Sequence, residues 1–174
     1  MIKVFLLLYL LLPLQLFAIH YNSTIIEIEA KLFPKMIMLS EDIDKNATVL
    51  KIDIIAHKQD LAYAREFKES IQAKYPEKLI NKVVKVSISK LGSLNEEADA
   101  FIVLDHTEKE LQKIANFANT RKILSFAYDP SYMDSGILAA IYIGISTKPY
   151  LNKEIIQKYN FTFNPYLLEL SKFK

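Results

Sequence analysis

The sequence predicts an α/β fold, a single-domain three-layer sandwich in which helices flank a mostly parallel sheet. Three observations lead there. Ala100–Leu104, Lys122–Ala127 and Ile137–Ile145 are short apolar runs rich in Ile, Val and Phe, the pattern of strands buried on both faces of a parallel sheet. Between the first two lies Thr107–Asn119, with Leu111, Ile114, Ala115 and Ala118 on one helical face. Thr107 and Glu110 are spaced as a capping box, each side chain accepting a backbone N–H of the first turn. Strand, helix and strand within about thirty residues make a βαβ unit.

The remaining elements follow in order. Ser23–Leu39 reads as a helix with Thr24 and Glu27 as its capping box, and Ile25, Ile28, Leu32, Met36 and Leu39 as one apolar stripe. Pro34 lacks the N–H of a helical bond and predicts a kink or break near Phe33. Thr48–Ala56 is the first strand, ending at His57, and Asp60–Tyr75 is a helix stopped by Pro76. Val83–Ser89 alternates apolar Val84, Val86 and Ile88 with polar neighbours, as an edge strand with one wet face does. Leu91–Asp99 is polar and short for a helical crossover. Ser146–Asn152 is extended, with Pro149 holding it to a sheet edge or outside the sheet. Asn152 caps a short helix to Tyr159, and Asn164-Pro165 opens a last helix that docks through Leu167, Leu168 and Leu170. The order suits a flavodoxin/Rossmann-like sheet.

The 174-residue chain is 51% hydrophobic and 24% charged, with a net charge of +2. It is long enough for one domain with its own core and too apolar for disorder. The charge is too mild, and too evenly spread, for a nucleic-acid partner. Lys3, the apolar run Val4–Leu12, Pro13 and Leu16-Phe-Ala18 follow the order of a secretory signal peptide over residues 1–18. The run is short of the roughly 20 residues that span a bilayer; an uncleaved anchor is the alternative. A single domain would then occupy Ile19–Lys174. The chain has no cysteine, so its core must hold it without disulfides, which fits a bacterial periplasm better than a eukaryotic extracellular space.

Candidate sites gather at the predicted carboxyl ends of the strands, where open α/β sheets bind ligands. These ends carry His57, Asp105, His106 and Asp129. Such a mixed nitrogen and oxygen set can hold a metal or move protons, and a metal-dependent hydrolase is the third reading; the same residues serve equally as ordinary loop and helix-flanking groups. No Gly-x-Ser-x-Gly elbow, glycine-rich loop or cysteine nucleophile is present, so no catalytic residue and no cofactor is assigned. The turn Asp129–Gly136 carries Tyr132 and Met133 between two buried strands. Exposed, they suit contact with a protein or a small aromatic ligand; folded inward, they are core. Asn46, in Asp44-Lys-Asn-Ala-Thr48, is a glycosylation candidate with an acid two residues upstream; Asn22 and Asn160 also precede x-Ser/Thr but lack the acid.

The carboxyl-terminal half resembles a known family. A glycine-closed turn precedes Ile137–Ile145, then come Lys148-Pro-Tyr-Leu-Asn152, a short helix, and Phe161-Thr-Phe-Asn-Pro-Tyr-Leu-Leu-Glu-Leu170. The first helix, Ile28-Glu-Ala-Lys-Leu-Phe-Pro-Lys-Met-Ile-Met-Leu39, and the strand ending at His57 fall in matching places. The pattern is similar to that of the YfiR-like (YfiR/HmsC-type) periplasmic proteins. It covers nearly all of the chain beyond the leader, as an order of elements rather than a motif. The chain departs from the family in having Gly136 alone where paired glycines are usual, and no disulfide-forming cysteines. The resemblance implies a periplasmic regulator that binds the periplasmic part of an inner-membrane signalling protein, typically a diguanylate cyclase held inactive. A homo-dimer is compatible with it. The alternative function is a periplasmic small-ligand binding or sensor protein.

Overall fold

The computed structural model describes residues 21–174; the expected leader over residues 1–18 lies outside them. The described chain runs α1 (Ser23–Met38), β1 (Val49–Ile55), α2 (Leu61–Lys74), β2 (Val83–Ser89), β3 (Ala100–Val103), α3 (Glu108–Thr120), β4 (Leu124–Ala127), β5 (Ala139–Ile143), β6 (Thr147–Leu151), α4 (Lys153–Tyr159), α5 (Pro165–Leu170) and β7 (Lys172–Phe173). The strands form one sheet in the order β2-β1-β3-β4-β5-β6-β7. β2, β1, β3, β4 and β5 are parallel, β6 is antiparallel to β5, and β7 parallel to β6.

Alternation along the strands divides the core in two. Ile52, Ile54, Ala100, Ile102, Leu124 and Phe126 face α1 and α2, while Phe101, Val103 and Ala127 face α3. On the first side Phe33 lies between Phe67, 6.2 Å away, and Phe126, 4.9 Å away. The link from β2 to β3 holds only a 3₁₀ turn, Leu91–Ser93, so α3 covers β3 and β4 and leaves the same face of β2 to solvent. Lys85 and Ser87 are exposed there, the wet face and edge position that the alternation predicts.

Several expectations are corrected. Asn22, not a Thr24–Glu27 box, caps α1: its side chain accepts the N–H groups of Thr24 and Ile25. The chain does not break at Pro34, which is buried within the continuous helix. Its inward face is Ile26, Ala30, Phe33 and Ile37, with Glu29 among them, while Ile25, Ile28 and Leu32 are half-buried. A charged residue on the true inner face is what turned the apolar stripe onto its neighbour. Leu167 docks α5, but Leu170 is exposed. Pro149 lies within β6 opposite Ile141. Asn152 N–H donates to the Leu138 carbonyl, so every second pair back from there is hydrogen-bonded and the Pro149 nitrogen faces away from β5, where no ladder bond is lost.

The expected turn Asp129–Gly136 is a 3₁₀ helix, Pro130–Ser135, capped by Asp129 and closed by Gly136 at φ 95°. A Cβ at Gly136 would stand 3.4 Å from Ala115 Cβ. Gly136→Ala should lower unfolding stability by about 1–2 kcal/mol, because an L-residue is strained at this φ; urea denaturation that leaves the midpoint unchanged would contradict this role.

Candidate functional site at the carboxyl ends of β1 and β3

Strand order 2-1-3 makes the chain leave β1 for one side of the sheet and return on the other, so the connections after β1 and β3 diverge. The crevice at such a switch point is where doubly wound sheets take ligands. His57 beyond β1, Asp105 and His106 beyond β3, and Asp60 at the start of α2 stand at that point of this sheet.

The two histidines, 49 positions apart, meet: their rings stack at 4.3 Å between centroids. His106 is buried, and its Nδ1 lies 3.1 Å from the Leu104 carbonyl. A carbonyl only accepts, so Nδ1 carries the proton and Nε2 presents a lone pair. That Nε2 is buried with no hydrogen-bond partner. Burial holds the imidazole below its usual range, with the neighbouring His57 adding to the effect. His57 Nε2 donates to Glu110 Oε2 at 3.3 Å. The same oxygen accepts the Thr107 N–H at 3.0 Å and the Thr107 hydroxyl at 2.7 Å, and these bonds hold the Glu110 carboxyl down at about 2. The capping box expected at Thr107 and Glu110 is therefore present and also anchors His57.

Asp60 is buried and its Oδ2 has no partner. Burial, then the charge of Asp105, pushes its carboxyl up, against opposing influence from His57, His106 and the Tyr21 hydroxyl that bonds to it. Asp105 is tied from two sides: its N–H donates to the Tyr21 hydroxyl at 2.9 Å, and its Oδ1 accepts the Tyr132 hydroxyl at 3.0 Å. Tyr21 stacks on Tyr63 at 4.3 Å and meets Tyr128 at 4.9 Å. Beyond β4, Asp129 caps the 3₁₀ helix through the Ser131 N–H. Its charge adds to the burial that raises the Glu29 carboxyl, whose Oε2 is also without a partner.

His57, Asp105 and His106 thus share one site, with Asp129 one strand further along. Tyr132 and Met133 are both buried, which corrects the exposed reading of their turn: Tyr132 supports Asp105 from inside and Met133 is core. Gly136 sits away from the strand ends, its carbonyl accepting Asn119 Nδ2 at 3.0 Å. Asn46 is exposed in its loop, its N–H donating to Asp44 Oδ1 at 2.9 Å; the buried Lys82 ammonium pins that loop through the Asp44 and Ala47 carbonyls. Among the described residues no three His, Asp or Glu side chains are grouped to hold a metal. Sequence reasoning missed Tyr21, Glu29 and Asp60. The signal for Asp60 was its place three residues after a strand-end histidine.

No protein-family model and no curated protein matches the chain. Solved structures do. A conserved domain protein of Vibrio cholerae O1 biovar El Tor is 12% identical, with a TM-score of 0.61 over 85% of this chain and 59% of its own. An ABC domain in complex with L-Trp, from Streptococcus pneumonia, is 14% identical, with a TM-score of 0.53 over 87% and 59%. The chain thus spans 59% of the length of each, and at these identities the likeness is one of fold.

The site makes stability depend on pH. Unfolded His106 takes a proton near its ordinary 6.5, whereas the buried ring resists it, so stability falls as pH drops through that value. Asp60 and Glu29, raised in the fold, act in the opposite sense as pH falls. The difference in urea midpoint between wild type and His106→Gln should therefore shrink from pH 7.5 to 5.5. A constant difference would show that His106 is not held neutral.

Proposed function

We propose that this chain is an exported small-ligand binding or sensor domain whose ligand enters beyond β1 and β3. One observation carries the reading: Asp60 Oδ2 and His106 Nε2 are buried, polar and unpartnered at the switch point, although buried polar groups are ordinarily hydrogen-bonded. Polar groups left without partners at that place in a fold are suited to a ligand that supplies them. That a neighbour of the same fold was solved with L-Trp is in keeping with this. Export rests on the order of residues 1–18.

The second reading is the regulator that the YfiR-like resemblance implies, acting by contact with an inner-membrane signalling protein. Its surface is not the buried Tyr132 and Met133. The β5–β6 hairpin suits it better: β4 pairs only with Ala139 and Ala140, and the outer part of the hairpin exposes Tyr142, Ile143 and Ile145. Scattered exposed apolar residues are common, so this surface ranks behind the unpartnered groups of the crevice.

Thermal denaturation of the full-length protein against a panel of amines, amino acids, nucleotides and sugars tests the first reading. At least one compound should raise Tm by several degrees, and His57→Ala should abolish that shift. A panel without effect, or a shift indifferent to His57→Ala, would overturn it.

A further inference from the structure

Resting on the export part of the reading above, we propose that Asn46 is an acceptor site for an N-linked oligosaccharide, transferred to its side-chain amide from a lipid diphosphate carrier outside the inner membrane. Three Asn-x-Ser/Thr sequons are present, at Asn22, Asn46 and Asn160. An acceptor must present its amide, and the residues that follow it, to an enzyme at the surface. Burial and secondary structure at each sequon therefore separate the three.

The fold closes two of them. Asn22 caps α1: its Oδ1 accepts the N–H groups of Thr24 and Ile25, and Ser23 and Thr24 lie in the first turn of the helix. Using this sequon means unwinding the helix start and losing the cap. Asn160 ends α4 in the left-handed region at φ 53°, with its carbonyl accepting Lys122 Nζ. The next residue, Phe161, is core. The Thr162 backbone is bonded on both sides, its N–H to Asp42 Oδ2 at 2.8 Å and its carbonyl from the Glu41 N–H at 2.9 Å.

Asn46 is open by contrast. Asp44, Lys45, Asn46 and Thr48 are exposed, in a turn outside every helix and strand. Asn46 bonds through its backbone N–H to Asp44 Oδ1, and among the described residues nothing bonds to its side-chain amide. The buried Lys82 ammonium holds the turn from behind through the Asp44 and Ala47 carbonyls, which leaves Asn46 at the tip. The Asp44 carboxylate, exposed two residues upstream, offers an enzyme cation a charge-assisted bond. The turn precedes β1, at the amino ends of the strands, so a glycan there leaves the edge that carries His57 and His106 uncovered. In the transfer, Asn46 Nδ2 attacks the anomeric carbon of the first sugar. The new C–N bond replaces the C–O bond to the diphosphate, which leaves on its lipid with that electron pair, and the amide gives one proton to a base of the transferase.

The test is to express the full-length protein in bacteria supplied with an oligosaccharyltransferase and its lipid-linked oligosaccharide, and to read the intact mass of the chain in the periplasmic fraction. Wild type, Asn22→Gln and Asn160→Gln should each gain the mass of one oligosaccharide. Asn46→Gln and Thr48→Ala should lose it, and Asp44→Ala should lose most of it. A urea midpoint for Asn46→Gln equal to that of the unmodified wild type shows that the acceptor, not the fold, was lost. An exported wild type without added mass, or added mass that persists in Asn46→Gln, would overturn the proposal and leave the export reading standing. Full modification of Asp44→Ala would overturn the role given to its carboxylate. Absence of the chain from the periplasm would overturn export, and the proposal with it.

Discussion

The hydrogen bond from His106 Nδ1 to the Leu104 carbonyl sets the character of the site. It joins the first and third residues past a buried strand, where the chain turns from β3 into α3. It fixes the tautomer, so a lone pair rather than a proton is left at Nε2, in a place where water does not reach it. It also fixes the ring plane on which His57 stacks. His57 in turn meets Glu110, the carboxylate that caps α3. One local bond thus ties the ends of β1 and β3 to the start of α3, and the rest of the crevice is arranged around it.

The sheet makes this arrangement possible. Parallel pairing brings Ile55 beside Val103 and Val103 beside Ala127, so three strands end at one level and deliver His57, Asp105 and Tyr128-Asp129 to one edge. The first helix contributes from above: Tyr21 and Asn22, at its entry, bond to Asp105 and to the Tyr128 hydroxyl. Burial, with the charges of Asp105 and Asp129 added to it, pushes the Asp60 and Glu29 carboxyls up along that edge.

Much of the fold was legible because its signals are local. Continuous apolar runs marked β3 and β4, the Thr107–Glu110 spacing marked the start of α3, and alternation marked β2 as the wet edge. Where local signals competed, the sequence misled. In α1 a buried Glu29 disguised the inner face, and Thr24–Glu27 imitated a cap that Asn22 supplies. The site was half legible. His57, Asp105 and His106 follow from strand ends alone, since the place where a buried run stops is visible in the sequence. Asp60 and Tyr21 do not, because what makes them matter is burial and proximity across more than forty residues. Tyr132 was legible only as a choice between an exposed and an inward side chain, because what decides it is a partner for its hydroxyl, the Asp105 carboxylate 27 residues away.

The central claim is that His106 is a neutral acceptor held open in the core. Long-range ¹H–¹⁵N correlation of the histidine side chains in the uniformly labelled protein at neutral pH reads this directly. The account predicts that His106 carries its proton on Nδ1, with Nε2 showing the shift of an unprotonated nitrogen. A proton on Nε2, or an imidazolium, would contradict it.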